Sequence, residues 1–346
     1  MKSPAFVFAL LAALFFGAAT PVSKPLLAHL SAFQLAGLLY LGAALGVTFL
    51  LLRERKFVPP WRMDRRNRRL LLTSVLFGGM LGPLTMLAGL RRASAASVSL
   101  WLNLEMVATA LLGHFIFKDY LTRRGWIAAG GIFLAAVVLA AGEGAAGLQA
   151  GLLVLAACVC WGIDNHATAL IDGITPAQST FWKGLAAGST NLLIGLSLAP
   201  LAASAGEVLG GLGIGVVSYG LSIVLYIASA QQLGATRSQL IFSSAPFWGV
   251  LISVLVLGEP FTWQLAIAAL MLAASIGLLY LEQHEHAHRH AAQQHEHLHN
   301  HHDGHHLHHH EQFPDTGWHS HPHQHTPLEH AHPHWPDLHH RHEHPA

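Results

Sequence analysis

Long apolar runs separated by short polar connectors organise the first 281 residues. Ten such runs fall at roughly 4–22, 31–52, 70–90, 94–117, 124–142, 148–170, 177–199, 208–231, 237–257 and 262–281. Runs of about 18–22 apolar residues are long enough to cross a hydrocarbon core of about 30 Å as helix. Barrel strands would alternate over about ten residues, and these runs do not. Only helices or closed barrels satisfy backbone polar groups in lipid. The pattern therefore predicts an all-α polytopic membrane protein with about ten transmembrane helices.

Composition sharpens this picture. Hydrophobic residues make up 52% of the 346 and charged residues only 11%, against about 25% charged in soluble domains. The net charge of +1 says little, because the charges cluster in connectors. Cys158 and Cys160 share one apolar run and face different directions on a helix, so they read as small apolar filler. Lys2 and the run from Ala5 to Thr20 resemble a signal peptide. Equally apolar runs follow, so an uncleaved first helix is the simpler reading.

Lysine and arginine set the expected topology. The connector between the second and third helices carries Arg53, Arg55, Lys56, Arg62, Arg65, Arg66, Arg68 and Arg69, and the same side holds Lys118, Arg123, Arg124, Lys2 and Arg237. The other side has Lys24, Arg91 and Arg92. The positive-inside rule places the first set in the cytoplasm. With an even helix count both termini are then cytoplasmic, in what reads as a bacterial inner membrane. Topology accounts for the basic connector, and no nucleic-acid partner is expected.

The membrane region looks duplicated. A shift of 140 residues sets Ser94-Ala95 on Gly234-Ala235, Lys118-Asp119 on Gly258-Glu259 and Leu121-Thr122 on Phe261-Thr262. Phe16-Gly17 matches Trp161-Gly162 at a shift of 145. Each unit holds five helices, and an odd number inverts the second copy, as in many secondary transporters. The expected organisation is a first repeat over 1–142, a second over 143–282 and a tail over 283–346.

These residues carry a resemblance. Ser94-Ala95-Ala96, Leu102-Asn103-Leu104-Glu105 and the polar pair at 118–119, with Trp161-Gly162, Ala245-Pro246 and Leu257-Gly258-Glu259-Pro260 in the second half, resemble the EamA-type transporters of the drug/metabolite transporter superfamily. Trp161-Gly162-Ile163-Asp164-Asn165, Lys183-Gly184-Leu185 and Asn191-Leu192 are similar to a subgroup with histidine-rich C-termini. Met106 and Lys118-Asp119 depart from the family pattern. The resemblance implies ten helices, cytoplasmic termini and export of small molecules, and it names no substrate.

Charges inside the membrane need a partner or a wet cavity. Glu105 stands mid-helix beside Asn103, Asp164 precedes Asn165 and His166, and Lys183 lies a third of the way into its helix. One reading is a substrate cavity with Glu105 and Asp164 as acidic groups and Lys183 as counter-charge. The alternative is an interior Asp164–Lys183 pair that fixes packing, or a placement of both near the cytoplasmic surface. Asn103, Asn165, Tyr219, Tyr226 and Gln239 are further cavity candidates, with Trp101 and Trp248 behind them.

The tail holds 25 of the 28 histidines. Candidate ligands are His284, His286, His288, His305, His306, His308, His309, His310, His330, His332, His334, His339, His340, His342 and His344. So few large aliphatic residues cannot form a core, and disorder is expected. Imidazole suits zinc, nickel and copper, which are the candidate tail-bound ions. No cofactor is required, and no nucleotide loop or nucleophile motif suggests an enzyme.

The leading expectation is a secondary transporter exporting a small metabolite or drug-like solute by alternating access. One alternative is divalent metal efflux with the tail as collector, and another is a membrane-anchored metal buffer or sensor. Expected partners are the solute or ion, the lipid bilayer and, as an open case, a second copy in a homodimer.

Overall fold

The structure is a computed structural model that describes residues 4–54, 56–117, 121–233, 235–280, 284–290, 293–299, 319–325 and 328–334. Among the described residues ten helical spans follow one another: α1 (Pro4–Leu26), α2 (Ala32–Leu51), α3 (Arg65–Leu90), α4 (Ala95–Ile116), α5 (Arg123–Gly142), α6 (Gly144–Ala169), α7 (Pro176–Leu198), α8 (205–233), α9 (235–256) and α10 (Trp263–Tyr280). Among the described residues seven of these are individually long and apolar enough to cross a membrane. In α7 the residues Gln178, Lys183 and Asn191 dilute the apolar run. The unbroken apolar helices within α9 and α10 are shorter.

Polar junction residues set the helix starts. The side chains of Ser31, Asp64, Ser94, Thr122, Thr175 and Ser204 each accept the backbone N–H three residues on, satisfying one of the open amides of a first turn. Asp64 explains one departure from the expected bounds. It caps a first turn rich in arginine, so α3 begins at Arg65, ahead of the apolar run that marked its start near residue 70.

The duplication is visible in the packing. Each of α2 and α5 lies against its own counterpart, α7 and α10. The mirrored contacts also match: α1 packs on α8 and α9, and α6 packs on α3 and α4. Irregularities recur at equivalent places. A π-helical segment interrupts α3 at Ser74–Leu81 and α8 at Gly215–Leu221. Both α4 and α9 break after their first turns, at 102–103 and 243–244. At each break a side chain adds a bond to a carbonyl that also accepts its own backbone N–H: Asn103 Nδ2 donates to Leu100 O at 3.1 Å and Ser244 Oγ to Ile241 O at 2.7 Å.

The α2–α7 seam needs glycine. A Cβ at Gly184 would sit 2.7 Å from the Tyr40 carbonyl oxygen, and one at Gly188 would sit 2.7 Å from the Leu41 amide nitrogen. Only the missing side chains let these backbones meet. Away from the seams Leu45, Phe49, Leu72, Leu134, Leu152, Leu193 and Leu255 are exposed, an outward apolar surface suited to lipid and not to water. At the end carrying the basic connector, Phe57, Trp61, Phe181 and Trp182 cluster with centroids 5.2–6.1 Å apart. This is the interfacial aromatic belt of a membrane protein.

The opposite end is clamped across the two halves. Glu259, in the α9–α10 connector, pairs with Lys24 at 2.9 Å and accepts the amides of Ala95 and Ala96 at 2.8 and 2.9 Å. Lys24 also donates to Ala93 O at 2.8 Å. Gly258, at φ +68°, makes the left-handed turn that ends α9 and presents Glu259. Next to it Glu143 accepts from Ser94 Oγ at 2.6 Å and from Ser97 Oγ.

Beyond α10 the described tail consists of four strands: β1 (His284–His290), β2 (Gln293–His299), β3 (His319–His325) and β4 (Leu328–His334). They form two separate antiparallel ladders, β1–β4 and β2–β3. Two-stranded ladders are marginal alone in water.

Candidate functional site

The polar residues singled out from the sequence fall into two groups between the halves. The first is built on α3, α6 and α7. Lys183 Nζ lies 2.7 Å from Asp164 Oδ2, with the two side chains 17% and 8% exposed. Asp164 Oδ1 accepts from Thr168 Oγ1 at 2.9 Å and from Ser74 Oγ. Gly78 makes room for this carboxylate, since a Cβ there would overlap it. The π-helical segment of α3 leaves carbonyls open to side chains. Gly78 O accepts from Tyr40 Oη and from Trp161 Nε1, the latter at 3.1 Å, and Gly79 O accepts from Asn191 Nδ2 at 3.0 Å. The Asp164 carboxylate is thus enclosed, with partners at both oxygens.

The second group is more open. Glu105 on α4 is half-buried and accepts from Asn165 Nδ2 at 2.9 Å. Asn165 also donates to Thr109 Oγ1 at 3.2 Å. Asn165 is exposed, and both of its partners lie on the neighbouring helix α4. Among the described residues no cation lies within ion-pair distance of Glu105. The Asp164–Lys183 pair is within electrostatic range, as are Tyr40 and Tyr219.

An aromatic arc completes the surroundings. Tyr40 stacks on Tyr219 with centroids 6.2 Å apart, and Tyr219 meets Phe16 edge-on at 5.8 Å. Phe16 contacts Phe242 at 5.3 Å, and Phe242 contacts Tyr226 at 5.2 Å. Tyr226 Oη donates to Gln239 Oε1 at 2.7 Å. The arc draws on α1, α2, α8 and α9, while Glu105 and Asn165 come from α4 and α6.

Of the eight cavity candidates, Asp164 and Lys183 form the ion pair, Glu105 and Asn165 bond to each other, and Tyr219, Tyr226 and Gln239 lie along the aromatic arc. Asn103 stands apart. It is buried and its amide serves the break in its own helix. Sequence reading missed Ser74, Thr168, Thr109, Tyr40, Phe16 and Phe242. The hydroxyls are ordinary in membrane helices and gave no signal, although Thr168 stands one turn after Asp164 and could have been found by that spacing. His284, His286, His288, His330, His332 and His334 lie on β1 and β4. His305, His306, His308, His309, His310, His339, His340, His342 and His344 lie outside the described residues.

Comparisons with known proteins agree with this architecture. The chain is 26% identical over 296 residues to an uncharacterized transporter of Methanothermobacter thermautotrophicus, covering 80% of this chain and 85% of that protein. A solved structure, described only as the crystal structure of a protein, shares the fold at a TM-score of 0.56 and 17% identity, over 81% of this chain and 97% of the other. The EamA-like transporter family matches twice, over residues 3–141 and 148–281. Each match takes in one five-helix half, and the chain belongs to the EamA-like transporter family.

Proposed function

We propose that this transporter exports a small metabolite or drug-like solute from the cytoplasm by alternating access of its two halves. The basic connector lies on the cytoplasmic side, both termini are cytoplasmic, and the membrane is a bacterial inner membrane. The observation that carries the reading is the Glu105 group: a half-buried carboxylate between α4 of the first half and α6 of the second, bonded to Asn165 and within electrostatic range of Tyr219 in the aromatic arc. Glu105 exchanges a proton or a cationic solute group, and the aromatic faces receive the apolar part of the solute. The enclosed Asp164–Lys183 pair holds α3, α6 and α7 in register and does not itself bind solute. Divalent metal efflux has less support, since among the described residues no group of three metal-ligating side chains forms.

The test is a deletion strain carrying the wild-type chain or Glu105→Gln, grown over a panel of small toxic solutes at several pH values. Wild type should confer tolerance to a subset that the variant loses. Equal tolerance with equal pH dependence removes Glu105 from the mechanism.

A further inference from the structure

The connector from α2 to α3 and the connector from α6 to α7 meet at the arginine-rich end, and side chains brace them together. Gln178 is buried there. Its Nε2 donates to Lys56 O at 2.7 Å and to the Glu54 carboxylate, and its Oε1 accepts the Val58 amide at 3.0 Å. Trp182 Nε1 donates to Val58 O at 3.0 Å. A second brace runs through Asn67, also buried, whose Oδ1 accepts the Asp172 amide at 3.0 Å. Between the two connectors lies a cavity of about 360 Å³, within the range of about 300–1,000 Å³ typical of ligand pockets. One wall comes from the first half of the protein and the other from the second.

The charges on this cavity are not equivalent. Lys56, Arg62, Asp64 and Asp172 all line it. Both acids are already engaged: Asp64 accepts from the Asn67 amide at 2.6 Å and from Asn67 Nδ2 at 3.0 Å, and Asp172 accepts from Arg66 at 3.0 Å. Among the described residues the Lys56 and Arg62 side chains have neither an ion-pair nor a hydrogen-bond partner. Two unpaired cations on a braced cavity suit an anion. A guanidinium fork matches a phosphate, and a lysine adds a point charge.

The rim adds an apolar requirement. Phe57 lines the cavity and also belongs to the interfacial aromatic cluster. It is 47% exposed, and Trp61, beside Arg62, is 72% exposed. Rings of this kind sit at headgroup level in a bilayer. A soluble phosphate would use the cations and leave these rings idle. A phospholipid uses both. A zwitterionic head would bring an ammonium that finds both carboxylates occupied.

We infer that this cavity binds an anionic phospholipid of the surrounding bilayer, with Lys56 and Arg62 on its phosphate and Phe57 and Trp61 against its glycerol and upper acyl chains. Basic pockets between membrane helices take such heads. The bound head bridges the two halves at this end. The site shares no lining residue with the Glu105 group, so it stands apart from the choice of solute.

The experiment titrates the full-length protein, in a neutral detergent, with phosphatidylglycerol or phosphatidylcholine and counts bound lipid by native mass spectrometry. Wild type is compared with Lys56→Gln/Arg62→Gln and with Arg68→Gln/Arg69→Gln. The second pair removes the same charge from exposed arginines of α3 that do not line the cavity. Phosphatidylglycerol should bind wild type more tightly than phosphatidylcholine does. The first double variant should lose about tenfold or more of that affinity and the second less than about threefold. Trp61→Ala, which keeps every charge, should also weaken phosphatidylglycerol binding, and an unchanged affinity there overturns the placing of the apolar part. Equal losses in the two double variants overturn the site in favour of connector charge alone, and equal binding of the two lipids overturns the anionic head. Displacement of the lipid by millimolar glycerol phosphate, with Trp61→Ala binding that phosphate as well as wild type does, overturns the lipid in favour of a soluble phosphate.

Discussion

Removing one charge from the Asp164–Lys183 pair should destabilise the protein far more than removing both. The pair is 2.7 Å long, and its side chains are 8% and 17% exposed. Taking one partner from a buried pair costs about 3–5 kcal/mol, because an uncompensated charge is left behind. Lys183→Met leaves a carboxylate with only the Ser74 and Thr168 hydroxyls, and Lys183 retains some exposure, so the lower end, about 3 kcal/mol, applies. Asp164→Asn keeps an acceptor for those hydroxyls but strands the partly exposed ammonium, at about 2 kcal/mol. The double variant removes both charges and should fall within about 1 kcal/mol of the wild type. The resulting coupling is about 4 kcal/mol, more than a hundredfold in the folding equilibrium. Unfolding in mixed micelles, followed by tryptophan fluorescence across the four-member cycle, measures it. Additive effects, or single losses below about 1 kcal/mol, would refute the view that this pair holds the helices together. Single variants that stay stable but stop transport would instead move the pair into the transport cycle.

Other consequences follow from particular contacts. Gly184→Ala should lower stability by about 1–3 kcal/mol, because its Cβ would meet the Tyr40 carbonyl and force α2 from α7; the same unfolding assay checks this. Glu259→Gln removes the charge that joins Lys24 to the start of α4. It should loosen the end opposite the basic connector, read as faster maleimide labelling of a cysteine placed at the buried Ser99. Unchanged labelling would mean the clamp does not control access there. Asn103→Ala should cost about 1 kcal/mol through the unmade bond to Leu100 O without altering solute selectivity, whereas Asn165→Ala should alter selectivity at little cost in stability. A panel of tolerated solutes compared between the two variants separates the roles.

The sequence by itself determined the ten helices, their order and the duplication. Lipid excludes unpaired backbone groups, so a long apolar run has one available structure, and its length and position can be read directly. It also marked Glu105, Asp164 and Lys183, because charge within such a run demands an explanation. What it could not supply was pairing. Whether Asp164 meets Lys183 or Glu105 depends on how α3, α4, α6 and α7 pack, and that is set by glycine gaps and by a π-helical segment that no periodicity announces. Asn103 shows the same limit in reverse: it sits beside Glu105 in the chain, yet the break in α4 directs its amide to Leu100. The open acidic group and the closed ion pair look alike as residues in apolar runs. Only tertiary contacts, which decide how many donors and how much water each carboxylate meets, tell them apart.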